Sequence, residues 1–243
     1  MESNQNELQD DGEMTIVSHL SELRKRLILC LLVIGFFSTI SYYFAEEIVH
    51  FITAPAGKLY YMHPAEAFFT YLKASFFTGF LISLPFVLYQ IWAFLIPALT
   101  DDERTAVSFL VPTSFILFFV GLIFSYYFVL PAGIKFFLGF SNVDLQPLFS
   151  IGQYLDFVIS FLMPFGFIFE LPLIILVLAK LGFVSSKYLI KKRKIVILFS
   201  FIIGAFISPT PDVFSQTMIA VPILILYEIS IIIVKYLLLS NYS

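Results

Sequence analysis

Residues 90–104 read QIWAFLIPALTDDER, and this stretch decides the fold. It closes one long apolar run and opens the next, with Asp101, Asp102, Glu103 and Arg104 at the junction. Residues 74–99 behind it and 106–130 ahead of it carry no charged side chain. At 1.5 Å per helical residue, either run crosses the roughly 30 Å hydrocarbon core of a bilayer. The junction is therefore a short acidic turn held at a membrane surface by two spanning helices. Cytoplasmic turns normally favour Lys and Arg, so the carboxylates need a reason. A carboxylate in a half-dry pocket is a good bidentate receptor for a guanidinium. The competing reading is a solvated hairpin tip whose acids serve the dipole of the following helix.

Composition supports an integral membrane protein. The 243 residues are 60% hydrophobic and 13% charged, about half the usual charged share of a soluble domain, and mean hydropathy is +0.95. The net charge of −3 and the lack of a basic patch interleaved with aromatics argue against nucleic acid. Cys30 is the only cysteine, so neither an internal disulfide nor a cysteine metal site is possible. His19, His50 and His63, the only histidines, lie outside the apolar runs. No cofactor, metal or catalytic centre is expected. No cleavable signal-peptide pattern is found, because residues 1–26 are largely polar and the run after them is long enough to remain as a span.

In chain order, residues 1–13 read as a disordered acidic tail, 14–235 as one six-span membrane domain, and 236–243 as a short cytoplasmic tail. Residues 14–26 predict an amphipathic helix with Ile16, Leu20, Leu23 and Leu27 on one stripe. On it, Glu22 is able to pair locally with Lys25 and Arg26, the bland reading of that acid. Span one covers 27–45. A loop over 46–73 follows, in which Ile48, Val49, Phe51 and Ile52 predict a short interfacial helix. Spans two and three cover 74–99 and 106–130, with Pro131 closing the latter. A second loop covers 132–153.

Span four, 154–179, carries Glu170 at depth, with Pro172 bending the helix just after it. An acid there costs about 2.5–3.5 kcal/mol on insertion scales, so it faces a wet recess or the protein interior. A functional acid and a satisfied structural one are both open. Residues 180–194 form a basic loop. The fifth apolar run, 195–208, is about 21 Å long as a helix, which makes it either a span of thinned membrane or a re-entrant piece. Span six covers 213–234. With six spans, eleven of the 14 Lys and Arg residues fall on the side of the termini. That bias places both termini and the acidic turn in the cytoplasm.

Several motifs then agree. They are His19-Leu20-x-Glu22-Leu23-Arg24-x-Arg26 before span one, and Tyr89-Gln90-x-Trp92-x-Phe94 with Pro97, Leu99, Glu103 and Arg104 at the first cytoplasmic turn. Phe169-Glu170-x-Pro172 lies in span four, followed by the basic run Lys191 to Lys194. Ser208-Pro209 and Pro211-Asp212-Val213-Phe214-Ser215-Gln216 mark the last outer turn. In this order the chain resembles the TatC family, the multispan signal-peptide receptor subunit of the twin-arginine protein translocase. The likeness covers about residues 18–235. Ala98 stands where many members have Gly, and the turn at 208–212 is a residue longer than in some relatives.

The resemblance implies an all-α, six-helix, concave glove-like bundle of the inner membrane or its organellar equivalent, with spans five and six short. It implies that Arg-Arg signal peptides of folded cargo bind at the cytoplasmic face through Glu103, Phe94, Glu22, Leu99 and Arg24. Glu103 would hold one guanidinium and Glu22 the second, with Phe94 shaping the pocket. Glu170 would face a hydrophilic recess. Small single-span partners of the TatA/TatB type would dock near Ser208, Thr210 and Gln216, the chain would self-associate in a lipid-embedded receptor complex, and the proton-motive force would drive export.

Two other classes compete. A proton-coupled secondary transporter would use Glu170 and Glu228 as proton carriers, but neither an internal repeat nor matched broken helices are visible. An intramembrane hydrolase would want His at depth, which is missing from the apolar runs.

Overall fold

The structure is a computed structural model that describes residues 3–95, 104–142, 147–208 and 210–239, with side chains over 19–94, 109–142, 147–208 and 210–236. It is helical almost throughout. Two compact units are present: Met1–Ala45 with Ser75–Val111, and Glu46–Ala74 with Pro112–Ser243.

The first unit holds α1 (Ser3–Tyr42) and most of α3 (Glu66–Leu95). The expected approach helix and first span are one continuous α1. Ser38 and Thr39 return their hydroxyls to the carbonyls of Ile34 and Gly35, at 2.7 and 2.9 Å, so neither leaves a polar group facing lipid. Gly79 of α3 lies so close to Ser38 that a Cβ there would strike its backbone nitrogen. In lipid, where no hydrophobic effect pulls helices together, such small residues permit the contact.

The second unit contains α2 (Ala45–Thr53), a short helix where Ile48, Val49, Phe51 and Ile52 predict one. Val49 and Ile52 are buried while Phe51 is exposed, so the helix is two-faced. Span two starts earlier than its uncharged run, because α3 continues back to Glu66 and takes in Lys73. Pro131 does not close span three. After α4 (Arg104–Phe124), a π-helical turn (Ser125–Val129) leads into α5 (Leu130–Leu138), and Leu130 N–H bonds to Ser125 O. That wider turn changes the hydrogen-bond register just where the proline lacks a donor, and the helix continues.

Span four is broken where Glu170 stands. Pro172 has no N–H for the carbonyl of Ile168, so α6 (Ile151–Ile168) ends and α7 (Leu171–Lys180) begins anew. A tighter bond from Glu170 N to Phe167 O, 3.1 Å, fills the gap. Gly182, at φ +78, ends α7 in the left-handed conformation, with Phe183 N bonding Leu178 O at 3.0 Å.

The basic loop is a helix. Ser185 caps α8 (Ser186–Ile207), so Lys191 to Lys194 lie on its first half. Charge marks where a helix leaves hydrocarbon, not where it ends. The last apolar helix is also longer than the 213–234 run expected. In α9 (Val213–Leu239) the apolar stretch Val213–Tyr236 has 24 residues, about 36 Å. It joins Glu66–Phe94, Phe109–Leu138 and Ile151–Lys180 as long and apolar enough to cross a membrane. α1 qualifies only together with α2.

Phe161, Phe165 and Ile219 centre a core of α6, α9 and the π turn, while Ala179, Leu189, Tyr227 and Val234 gather the ends of α7, α8 and α9. Gly121 lets α4 meet the Phe165 carbonyl, and a Cβ there would overlap that backbone oxygen. Gly121→Ala should therefore lower stability by about 1–3 kcal/mol in detergent unfolding. Gly35→Ala, which would meet nothing within 4 Å, should not. Equal melting of both variants would refute this packing.

Candidate functional site

The N-terminal segment and the end of α3 come together. The His19 ring stacks on Phe94 with centroids 4.2 Å apart and planes 12° from parallel. About two turns further along α1, Arg26 bridges the two helices. Its Nε and Nη2 donate to Glu22 Oε1 at 2.9 and 2.6 Å, and its Nη1 donates to Gln90 Oε1 at 2.7 Å. Glu22 thus adopts the local pairing with Arg26, while a near-buried Gln90 holds the same guanidinium from α3. Arg24 is exposed on the same helix. Leu99 and Glu103 lie outside the described residues. Gln90 was quoted only as part of a motif. Its tie to Arg26 joins residues 64 apart in sequence, a pairing that local spacing does not reveal.

Glu170 stands at the α6–α7 break and is 7% exposed. Ser114 Oγ donates to its Oε2 at 2.7 Å, and its Oε1 has no partner. Its carbonyl accepts from Leu173 and Ile174, both at 3.0 Å. A buried carboxyl with an unpartnered oxygen at a helix break is poised for a further polar contact. Ser114 was missed, because it is one of several hydroxyl residues in the 106–130 run and nothing in the sequence sets it apart.

Ser208 and Thr210 lie in the turn between α8 and α9 and Gln216 in the first turn of α9, engaged with that turn and with α8. Ser208 Oγ donates to Thr210 O at 2.7 Å, Thr210 Oγ1 to Asp212 Oδ2 at 2.5 Å, and Gln216 Nε2 to Phe201 O at 2.8 Å. Asp212 also accepts from Ser215 N at 2.8 Å. Burial pushes its carboxyl up, and these hydrogen bonds outweigh that and hold it below the usual carboxylate range. The turn is thus prepaired, and Gly204 lets the Gln216 backbone approach α8 closely.

A second polar constellation was not anticipated. Glu66 accepts from Met62 N at 2.6 Å and His63 N at 3.3 Å through Oε2, and from Gly152 N at 2.8 Å and the Ser150 hydroxyl through Oε1. Beside it, Tyr60 pairs with the 149–151 segment by a short parallel bridge. One carboxylate therefore ties both interhelical loops to the start of α3. The available signal was an acid in the first turn of a helix just after Pro64. Lys73 and Asp156 pair nearby at 2.7 Å, both about half exposed, a geometry that adds little stability.

Glu228, the second acid of the transporter reading, is paired with Arg193 at 2.5 Å and about half exposed. It is neither deeply buried nor unpaired.

These features define a multi-pass, all-helical membrane protein with polar groups placed at its helix ends and at one break in depth. Residues 18–222 match the family model of the Sec-independent protein translocase protein (TatC). The Sec-independent protein translocase protein TatC of Carboxydothermus hydrogenoformans is 38% identical over 96% of this chain and 98% of its own length. That of Escherichia coli K12 is 37% identical over 89% and 86%. A crystal structure of the twin-arginine translocase receptor TatC superposes with a TM-score of 0.80 at 38% identity, covering 90% of this chain and 98% of that one. The chain belongs to the TatC family. It is a multi-pass inner-membrane component of the twin-arginine protein translocase, working with the other subunits of that complex.

Proposed function

We propose that this chain is the receptor that binds the Arg-Arg pair of signal peptides on folded precursors at its cytoplasmic face. It does so in a six-span topology with both termini cytoplasmic, as one membrane domain over residues 14–235. Small single-span subunits of the TatA/TatB type dock at the turn carrying Ser208, Thr210 and Gln216, the receptor self-associates, and the proton-motive force drives export. The chain performs no catalysis.

The observation that carries this reading is the contact between the N-terminal helix and the end of α3. His19 on Phe94, with Arg26 between Glu22 and Gln90, brings Glu22 close to the end of α3, and Glu103 follows Phe94 by nine residues in sequence. Arg26 occupies the Glu22 carboxylate as an incoming arginine would, so guanidinium chemistry suits that acid. A signal arginine at Glu22 must displace or share with Arg26, while Glu103 takes the other.

Titration of an Arg-Arg signal peptide and its Lys-Lys counterpart onto the protein in nanodiscs tests the proposal. Lys cannot reproduce the two parallel N–H bonds of the Arg fork. Loss of one charged hydrogen bond is worth about 1.5–3 kcal/mol, or roughly ten- to hundredfold in Kd. Equal affinity for both peptides would overturn it.

A further inference from the structure

The surface formed by the first half of α8 is not used by the receptor reading. Lys187, Lys191 and Lys194 follow one another at helical spacing, all exposed, and make no ion pair among the described residues. The same face continues as Ile195, Leu198 and Ile202, which are 46%, 61% and 39% exposed. One helix stripe is thus basic for its first turns and bare hydrocarbon below. Glu228, the acid beside α8, is already taken by Arg193 at 2.5 Å. Lys192 is turned aside over the Tyr188 ring, 5.5 Å from its centre. The cluster of Ala179, Leu189 and Val234 brings Lys180 and Lys235, both exposed, to the same end. The field there is strongly positive.

Depth fixes what those lysines meet. The helix is 22 residues long, about 33 Å, but its apolar part begins only at Ile195 and covers roughly 20 Å. Against a hydrocarbon core of about 30 Å, burying that part draws the last basic turns down to phosphate level, with the lysine stems extended along the helix. A soluble acidic partner would cover the lysines but not Ile195, Leu198 and Ile202, which lie at acyl-chain depth. A phospholipid covers both.

We propose that this face of α8 holds an anionic phospholipid, its phosphate on Lys187, Lys191 and Lys194 and its acyl chains along Ile195, Leu198 and Ile202. A zwitterionic lipid gains less, because its own cation sits beside the phosphate and opposes the lysine field. The site is independent of the signal-peptide reading.

Native mass spectrometry of the full chain released from nanodiscs of equal phosphatidylglycerol and phosphatidylcholine tests it. The expected result is retained phosphatidylglycerol in excess over phosphatidylcholine. The triple variant K187Q/K191Q/K194Q should lose that excess by at least about tenfold, since each lysine near an anionic surface is worth roughly fivefold. K187R/K191R/K194R should keep it, as should K58Q/K135Q, which removes exposed lysines elsewhere. These lysines are exposed and make no ion pair among the described residues, so melting of the glutamine variant in phosphatidylcholine alone should match the parent. Equal retention of both lipids by the parent would overturn the proposal. So would undiminished phosphatidylglycerol on the glutamine variant, or displacement of the lipid by millimolar inorganic phosphate.

Discussion

Glu103→Gln is expected to weaken binding of an Arg-Arg signal peptide by about 1.5–3 kcal/mol, or roughly ten- to hundredfold in Kd. The substitution keeps the size of the side chain and one acceptor oxygen, and it removes the charge. What is lost is the charge-assisted, two-point contact with a guanidinium, which is about twice as strong as its neutral counterpart. The loss should shrink as salt rises, because a pair at the membrane surface is screened over about 8 Å at physiological ionic strength. Glu22→Gln should do less. Its carboxylate is already paired with Arg26 at 2.6 Å, so an incoming arginine gains there only the difference between two guanidinium partners. Unchanged binding by Glu103→Gln would remove this acid from the site.

Glu170→Ala is expected to separate binding from transport. Signal-peptide affinity should stay within about threefold of the parent, while export should fall by tenfold or more, the kinetic equivalent of roughly 1.4 kcal/mol. The carboxyl is 7% exposed, has one oxygen on Ser114 and the other unpartnered, and sits where Pro172 breaks the span. An acid kept at that depth opposes insertion, and removing it should not lower the melting temperature in detergent. Equal loss of binding and export, or a large fall in melting temperature, would mean that the acid serves the fold.

The hydrophobic pattern showed the all-helical membrane class, because uncharged runs of bilayer length have few other uses. It misplaced helix ends wherever the chain left hydrocarbon while still hydrogen-bonded as a helix. Residues 186–194 are helical despite their charge, α3 reaches back through Lys73 to Glu66, and Pro131 is carried by a π turn. Composition reports what surrounds a residue, and helix termini depend on backbone partners. The site divides in the same way. Glu22, Phe94 and Glu170 were legible as acids or aromatics in unusual places. The bonds of Arg26 to Gln90, of Ser114 to Glu170 and of Ser150 to Glu66 join residues 56 to 84 apart. Only folding brings such pairs together, and no periodicity predicts them. Ser208 and Thr210 lie in the turn between α8 and α9 and Gln216 in the first turn of α9, and their polar atoms are engaged by that turn and by α8.

The most direct measurement is photo-crosslinking in membrane vesicles from a probe at Phe94, using an Arg-Arg signal peptide and its Lys-Lys version. Paired-charge recognition predicts a crosslink to the Arg-Arg peptide alone, abolished by Glu103→Gln and retained in Glu170→Ala. Equal crosslinking of both peptides, or of neither, would contradict it and return the acidic turn to a solvated hairpin.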